Sequence, residues 1–590
     1  MKFRTLKNWK NVGDTSILLF FAQRMEELLF DYTLDSYKPS ALNSPALCQE
    51  ALLVLEDIGS NILDDGVIDH IFDELEWSIK NDPASKSLLE ANLQRYLLRD
   101  SQVGIPERKL KLELLAGMLN PRRYFSRCVE LIEKAILTGS KKDIDYLART
   151  LCTTLINLGQ SKVFLYKEVL DFFYYEDNSF SDPISGLHDF FERIYPYVHH
   201  FDIYFAASSL INQINQENEH LGIQKVDSLP VDLLPFAESN NFSLCENEVF
   251  VKVADIQAHD IFSARVEAES RISKIRDLFV LFSHKAQLSW QENALVVQKC
   301  CEERPAIVKK SRSSMEKGFD VRPVVASKRL NWMLGNMGLA TDGSFQRFDR
   351  VVELHGVGVT NNIPENQLLN LWISIETITP SHLGQNKISG IVSNLMPILM
   401  LNYIGRLVER LASDLINWDR YKTVKILKKV SHGKNVRLAI LKLISLEENQ
   451  GVREDLYKAL GDFHLLRHRI FQLSDTFSSR KKIRDMLAVH QKKVSWQIGR
   501  IYRTRNLVVH SGKVPAFVHV LIENGHDYLD QVMSQIILCT CGDYKLSSID
   551  QVFEFSRVRY ESFERHLSGD NQLDGDSLEF MILNTVSYDS

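Results

Sequence analysis

An arginine and a histidine five residues apart, Arg505 and His510, stand in the stretch RTRNLVVHSGKVP. A guanidinium group can hold two phosphate oxygens through parallel hydrogen bonds, and an imidazole transfers protons near neutral pH. Together they supply charge stabilisation and general acid–base catalysis, which cleavage of an RNA phosphodiester requires. Arginine and histidine pairs with similar spacing occur elsewhere by chance, for example Arg350 and His355. The sequence around each pair must therefore indicate which pair is functional.

The surrounding residues predict a helix end. Ser511-Gly512, followed by Pro515, is typical of a helix stop, and the helix is predicted to begin near Ser479. His510 is therefore expected in the last turn, where the helix C-terminus favours an imidazolium. A histidine that reaches both protonation states can act first as general base and then as general acid.

Helical geometry limits how these side chains cooperate. Five residues correspond to about 140° around a helix, so Arg505 and His510 do not share a face. Asn506 and His510, four residues apart, do share one, and Asn506 is placed to orient the imidazole. Convergence of Arg505 and His510 on one phosphate therefore requires a loosened last turn or a second copy of the helix related by two-fold symmetry.

Positive charge is concentrated on the same predicted helix. Ten lysine and arginine residues lie from Arg480 to Lys513 and only Asp485 opposes them, although the whole chain has a net charge of −6. Such a local patch predicts binding to a polyanion. The residues predicted to contact RNA are Arg500, Arg503, Lys492, Lys493, Tyr502 and Lys513. Tyr502 and Trp496 can stack on bases, but aromatic residues on a helix are more often part of the core.

The amino-acid composition limits the possible protein class, cellular location and metal content. The 590 residues are 45% hydrophobic and 25% charged, as in globular proteins of several domains. Apolar runs such as Ile17–Ala22 are too short to span a bilayer, and no signal peptide is seen. Eight cysteines without framework spacing predict reduced thiols and a cytoplasmic location. Cys300-Cys301 and Cys539-Thr-Cys541 raise the question of a metal, but no second ligand pair lies nearby in sequence, which predicts no metal and no cofactor.

Hydrophobic periodicity predicts a mainly α fold in four parts. These are an N-terminal helical array (1–195), a small α+β domain (196–345), a helical bundle (346–545) and an acidic tail (546–590). In the first part, helices are predicted over Ser16–Phe30, Leu89–Leu98 and Arg127–Leu137. In the third, helices are predicted over Leu368–Ile378, Ile391–Trp418, with Pro397 as its start or a kink, and Ala516–Leu538.

The middle part combines strand and helix patterns. Strands are predicted over His200–Ala206 and Glu248–Ile256, and a hairpin over Leu288–Val297 with its turn at Glu292-Asn293. A helix is predicted over Ile261–Leu281, and Glu217–Asn241 is predicted to be a connecting loop.

Residues 350–545 resemble the HEPN superfamily, and within it the large helical HEPN domains of bacterial defence proteins. Three stretches carry the resemblance. NQLLNLWISIE (Asn366–Glu376) is similar to the opening helix with its acidic residue. IGRIYRTRNLVVHSG (Ile498–Gly512) matches the R-polar-x3-H signature, and ENGHDYL (Glu523–Leu529) is similar to the closing helix. A long insert at about 420–480 departs from the small members of the family.

The resemblance implies a C-terminal helical bundle that forms a homodimer and acts as a metal-independent endoribonuclease. The implied catalytic residues are Arg505, Asn506 and His510, together with Glu376, whose role varies across the family. Such enzymes are often regulated toxins of antiphage defence or abortive infection. RNA and an antitoxin or phage-derived trigger are therefore the expected partners, and no membrane is expected.

Two other interpretations stay open. One is a non-catalytic HEPN scaffold or sensor, in which Arg505 is an ion-pair partner and His510 a helix cap. The other is a helical adaptor with no role in nucleic-acid binding.

Overall fold

The computed structural model describes residues 3–7, 9, 13, 15–30, 41–60, 66–97, 103–176, 180, 182–213, 222–301, 304–316, 321–339, 343–380, 387–430, 435–569 and 573–583. Within these residues the chain forms 22 α-helices and one five-stranded antiparallel sheet. The predicted class, mainly α with a small α+β part, is confirmed.

The helices before the sheet account for most of the N-terminal region. They are α1 (Ser16–Leu29), α2 (Ser44–Gly59), α3 (Val67–Asn81), α4 (Pro83–Leu88), α5 (Ile105–Met118), α6 (Pro121–Leu137), α7 (Lys141–Asn157), α8 (Lys162–Leu170) and α9 (Pro183–Arg193). The helices predicted over Ser16–Phe30 and Arg127–Leu137 are confirmed by α1 and α6. The helix predicted over Leu89–Leu98 is wrong, because its described part forms only one 3-10 turn, Leu93–Arg95.

Eleven helices follow the sheet in the described part of the chain. They are α12 (Pro323–Asn336), α13 (Ser344–Thr360), α14 (Pro364–Ile378), α15 (Lys387–Val430), α16 (Val436–Ser445), α17 (Gln450–Leu460), α18 (His464–Thr476), α19 (Arg480–Ser511), α20 (Val518–Cys541), α21 (Ile549–Leu567) and α22 (Gly575–Leu583). The last two lie in the region predicted as an acidic tail. There α21 packs against α15, and α22 packs against α16.

The chain divides into two compact units. The first comprises Met1–Thr153, Asp177–Gly186 and Ser313–Ser590, and the second comprises Thr154–Glu176 and Leu187–Arg312. The first unit therefore draws its helices from both ends of the sequence. The second contains the sheet.

The sheet of the second unit has the strand order β2-β3-β1-β4-β5. Its elements are β1 (His199–Ser208), β2 (Ile223–Val226), α10 (Leu234–Ser239), β3 (Glu248–Ala258), α11 (Ile261–Val280), β4 (Trp290–Gln298) and β5 (Arg304–Lys309). The central strand β1 is buried on both faces. Phe201, Ile203 and Phe205 pack in the core that includes α11, and Tyr204 packs in the opposite core with Ala237 of α10.

The sequence predicted most of this unit. The strands over His200–Ala206 and Glu248–Ile256 and the helix over Ile261–Leu281 are confirmed by β1, β3 and α11. The hairpin with a turn at Glu292-Asn293 is wrong, because this segment is one continuous strand, β4, which pairs with β5 and, with a register shift between Trp290 and Ala294, with β1. The loop predicted over Glu217–Asn241 is also corrected, since its described part contains β2 and α10.

A four-helix bundle forms the centre of the C-terminal region. Helices α14 and α15 each pack against both α19 and α20. The predicted helix over Ile391–Trp418 corresponds to the first part of α15. Pro397 lies inside that part, and the backbone becomes extended at Asp419 (φ −159°, ψ 98°). Asp419 then caps the second part, because its Oδ1 accepts a hydrogen bond from the Lys422 backbone N–H at 2.9 Å.

The long helix α15 is also the one described helix that is apolar enough to cross a membrane by length and composition. In this structure 67% of its most apolar 18-residue window is buried inside the protein. Core helices pass the same test when they are apolar around most of their circumference. Its packing against α16, α19, α20 and α21 accounts for that apolar surface.

Three histidines are packed among these helices with lowered pKa values. Burial lowers the pKa of His464 and His468 to about 4, and that of His490 to about 3. The ring of His490 stacks on Tyr403 with ring centroids 3.6 Å apart, and His468 meets the ring of Phe20 edge-on at 5.1 Å. These imidazoles are therefore neutral in the folded protein at neutral pH.

We expect stability to fall on mild acidification. An unfolded histidine binds its proton near pH 6.5, whereas these folded histidines remain neutral until about pH 4 or below, so protons are taken up preferentially by the unfolded chain between these values. The thermal unfolding midpoint should decrease from about pH 7 to pH 5. The variant His490→Phe keeps a ring against Tyr403 without titrating, so its decrease should be shallower. Equal midpoints at both pH values would contradict this assignment.

Candidate functional site at the end of helix α19

Helix α19 positions the predicted catalytic residues and has the predicted ends. Ser479 caps its start, since the side chain accepts a hydrogen bond from the Lys482 backbone N–H. Gly512 follows its last residue in the left-handed conformation (φ 64°) and donates its N–H to the Val508 carbonyl. A glycine adopts this conformation without strain, which explains why the helix stops there. The predicted helix stop is confirmed.

Arg505 and Asn506 contact each other directly. Arg505 Nη1 donates a hydrogen bond to Asn506 Oδ1 at 2.9 Å, and both residues are half-buried. The Nε atom of Arg505 is buried and has no hydrogen-bond partner among the described residues. A buried N–H of this kind gains free energy from any acceptor that reaches it, and phosphate oxygens are good acceptors for a guanidinium.

His510 lies in the last turn of α19 and is exposed, as is Lys513 just beyond the helix. The helix remains regular through His510, so the loosened last turn that would bring Arg505 and His510 to one face is not observed. Within one copy, the two side chains therefore point about 140° apart around the helix. The remaining geometric route to one shared phosphate is a second copy of the helix.

Arg500 and Arg503, predicted to bind RNA, are instead buried in ion pairs. Arg500 Nη2 lies 2.5 Å from Glu74 Oε2 and 3.2 Å from Glu50 Oε2, and Arg503 Nη2 lies 2.9 Å from Glu50 Oε1. The side chains of Arg500 and Arg503 are only 1% and 8% exposed. Their charges are neutralised by α2 and α3, so neither guanidinium is offered to a phosphate, and we remove both from the RNA-binding set.

The two carboxylates respond differently to this environment. Burial opposes ionisation of Glu50, but the two arginines that contact it outweigh burial and hold its pKa below the usual range. At Glu74, which pairs with Arg500, burial dominates and, with the nearby Glu50 carboxylate, raises the pKa. The network therefore depends chiefly on the Glu50 carboxylate, which bridges both guanidinium groups.

Of the other residues predicted to contact RNA, some pack against neighbouring side chains and others are exposed to solvent. The ring of Tyr502 lies 5.4 Å from that of Trp372, and the ring of Trp496 lies 5.7 Å from that of Trp77, so both half-buried rings pack against another ring of the protein. Lys493 Nζ lies 5.2 Å from the centre of the Trp77 ring. Lys492 and Lys513 are exposed. Of the predicted RNA-binding set, these two lysines present the most accessible charge.

A large cavity lies along the face of α19 away from its end. Its volume is about 600 Å³, and Trp77, Tyr403, His490 and Trp496 are among the residues that line it. Trp496, which sequence analysis considered for base stacking, therefore belongs to the wall between α3 and α19. Stacking on a bound RNA strand at the end of α19 does not involve it.

Glu376 is not brought to this end of the bundle. Its carboxylate pairs with Lys387 Nζ at 2.8 Å. The neighbouring hydroxyls of Ser313 and Ser314 contact Gln367 Nε2 at 2.6 Å and His519 Nδ1 at 2.8 Å, which places the first turn of α14 beside the first turn of α20. Glu376 lies nine residues further, about 13 Å along the helix axis. The structure thus separates Glu376 from the residues at the end of α19.

The acidic partners of the basic helix were not evident from the sequence. Glu50 and Glu74 lie 450 and 426 residues before Arg500. The excess of positive charge between Arg480 and Lys513 was the available signal, because a buried arginine requires a compensating carboxylate. That signal predicts that acidic partners exist, but not where they are.

Comparison of the chain with protein-family models, with curated proteins and with solved structures gives no match. The HEPN resemblance therefore rests on the motif residues alone.

We expect Arg500→Ala to destabilise the first unit. It would leave Glu50 and Glu74 buried without their shared cation, and breaking a buried pair in this way typically costs about 3–5 kcal/mol. Urea unfolding monitored by circular dichroism measures the change. Lys481→Ala, an exposed residue on the same helix, is the matched control and should change stability by less than about 0.5 kcal/mol. A stable Arg500→Ala protein with weakened RNA binding would instead restore Arg500 to the RNA-binding set.

Proposed function

We propose that this protein is a HEPN-type, metal-independent endoribonuclease that acts as a regulated toxin in antiphage defence. The observation that carries the proposal is the end of α19, where Arg505, bonded to Asn506, precedes an exposed His510 in the final turn. The four-helix bundle around α19 is the type of scaffold that the resemblance implies. The proposal includes a homodimer, because a regular helix directs Arg505 and His510 to different faces.

The proposed chemistry uses the 2′-hydroxyl of RNA as nucleophile. His510 removes its proton, or protonates the leaving 5′-oxygen, while the 2′-oxygen attacks the adjacent phosphorus. Arg505 holds the non-bridging oxygens through its guanidinium group, whose planar fork matches the geometry of a phosphate. Asn506 was expected to orient the His510 imidazole, but its observed bond is to Arg505, so we assign it the role of fixing the direction of that guanidinium. The expected products carry a 2′,3′-cyclic phosphate and a 5′-hydroxyl group.

The N-terminal helices supply a means of restraint. Glu50 of α2 and Glu74 of α3 form ion pairs with Arg500 and Arg503 of α19. These arginines lie two to three turns before His510. Displacement of α2 or α3 would break these ion pairs in the helix that carries the proposed catalytic residues. A toxin requires such control, since an unrestrained ribonuclease would damage its own cell.

A second candidate is a non-catalytic scaffold, and specific contacts favour it. Arg500 and Arg503 are engaged inside the protein, and Glu376 pairs with Lys387 away from the end of α19. In this case Arg505 and Asn506 form only a local surface contact, and His510 is a solvated residue at a helix end.

Purified protein incubated with RNA in excess EDTA separates these two functions. Arg505→Ala and His510→Ala should each reduce cleavage about 100-fold or more, because one removes phosphate stabilisation and the other acid–base catalysis. Arg420→Ala and His284→Ala replace exposed residues of the same types elsewhere and should leave cleavage unchanged. Cleavage that stops in EDTA, or that survives both substitutions, excludes the proposed chemistry. No cleavage by the folded wild-type protein is the result expected of the scaffold or of a nuclease that is still restrained.

Mixing the two inactive variants tests the shared site. If Arg505 of one copy acts with His510 of the other, half of the mixed dimers are heterodimers and each has one intact site, so about a quarter of wild-type activity should return. Subunits exchanged by brief mild denaturation and refolding provide the sample, and the wild type treated in the same way provides the reference. Activity that stays at the level of the separate variants would place both residues in one copy.

A further inference from the structure

Two adjacent cysteines and a histidine meet at one end of the sheet. His199 Nδ1 lies 3.3 Å from Cys300 Sγ and 3.8 Å from Cys301 Sγ, and the two sulfur atoms are 3.6 Å apart. The three potential ligand atoms therefore form a small triangle. The residues lie within the second compact unit, and none of them is involved in the proposed RNA site.

The register of the sheet places these three residues close together. Strand β1 pairs antiparallel with β4, with Phe201 opposite Gln298. Continuing the pairing by two residues sets His199 opposite Cys300, and the bond from the Lys299 N–H to the His200 carbonyl (2.8 Å) shows that pairing extends beyond β4. Side chains at directly opposite positions stand on the same face of a sheet. Cys301 follows in the connection to β5.

The distances match those of a tetrahedral zinc site. With Zn–S near 2.3 Å and Zn–N near 2.1 Å, tetrahedral angles give about 3.8 Å between two sulfur ligands and about 3.6 Å between a sulfur and a nitrogen. The observed separations are 3.6 Å between the sulfurs and 3.3 and 3.8 Å between sulfur and nitrogen. A single ion can thus contact all three atoms with only small side-chain adjustments.

The surroundings suit a thiolate and a neutral imidazole. Gln298 Nε2, which can only donate, lies 3.2 Å from His199 Nδ1, which is consistent with an unprotonated Nδ1; a bound zinc ion would take the place of this hydrogen bond. The His200 backbone N–H lies 3.5 Å from Cys300 Sγ, and hydrogen bonds of this kind orient and stabilise a ligating sulfur. Both cysteines are exposed, which leaves a solvent-facing side for a fourth ligand.

A second group of potential ligands is less suited to zinc. His355, His526 and Asp530 also lie close together. However, the Nε2 atoms of the two histidines are 2.9 Å apart, a hydrogen-bond distance. Two nitrogens bound to a tetrahedral zinc stand about 3.4 Å apart. A hydrogen bond between the two rings accounts for this contact without a metal.

We propose that His199, Cys300 and Cys301 bind one zinc ion that joins the start of β1 to the connection between β4 and β5. The site has three protein ligands and one open position. Two thiolates and an imidazole favour zinc over magnesium or calcium, which prefer oxygen ligands. The sequence predicted no metal because the histidine lies 101 residues before Cys300.

Titration of the full-length protein with cobalt tests this site directly. The protein is reduced, stripped with chelator and titrated with Co²⁺, whose bonds to thiolates absorb in the near ultraviolet and whose tetrahedral complexes absorb strongly in the visible range. We expect one equivalent to bind, Zn²⁺ to displace it, and Zn²⁺ to raise the thermal unfolding midpoint. Cys300→Ser and Cys301→Ser should each weaken binding by about 100-fold or more, since even second-shell changes cost 10- to 100-fold.

Two control variants locate the metal. Cys245→Ser removes another exposed cysteine, and His526→Asn removes the central histidine of the second group; both should bind cobalt as the wild type does. Because Cys300 and Cys301 are exposed, their serine variants should fold, and far-ultraviolet circular dichroism verifies this. The proposal is overturned if folded Cys300→Ser/Cys301→Ser protein retains tight binding, or if binding depends on His526. Absence of binding by wild-type protein with all thiols reduced would overturn it as well.

Discussion

The carboxylates of Glu50 and Glu74 hold the C-terminal half of α19 by neutralising two buried arginines of this helix. Burying a guanidinium without a partner is costly, so α19 can occupy the centre of the first unit only while α2 and α3 stand against it. A parallel arrangement joins α1 to α18, where Glu27 pairs with Arg469 and Gln23 Oε1 accepts the Leu465 N–H at 2.9 Å. Charged contacts between the two ends of the sequence therefore determine where the helix with the proposed catalytic residues lies.

The sequence correctly predicted the structural features that depend on neighbouring residues, such as a helix end and a strand. The end of α19 was predictable because Gly512 can adopt a left-handed conformation and Pro515 follows. The strand β1 was predictable from its β-branched and aromatic residues. The turn predicted at Glu292-Asn293 failed because pairing with β5 keeps β4 extended at Asn293, and the pairing with β1 only shifts its register there. Tertiary pairing overrides local turn preference in such a strand.

Long-range partners were not predictable from one sequence. The excess of positive charge on α19 has the same appearance whether it faces RNA or buried carboxylates, and the acidic partners lie more than 400 residues away. The two cysteines at 300 and 301 show the same problem, since sheet register, rather than sequence spacing, brings His199 beside them. In both cases the residue types indicated the chemistry, and the fold determined which groups meet.

The interrupted path of the chain has a consequence for synthesis on the ribosome. The second unit is complete once residue 312 has emerged, whereas the first unit needs residues from 313 onward. Until Arg500 and Arg469 are translated, the nascent N-terminal helices carry Glu50 and Glu27 without their cations and expose the apolar faces that α18 and α19 later cover. The N-terminal helices are therefore expected to remain partly folded until α18 and α19 have been synthesised. Chaperones bind large proteins at this stage of folding. The proposed catalytic helix is among the last elements made, so it emerges into a chain that already contains the carboxylates that restrain it.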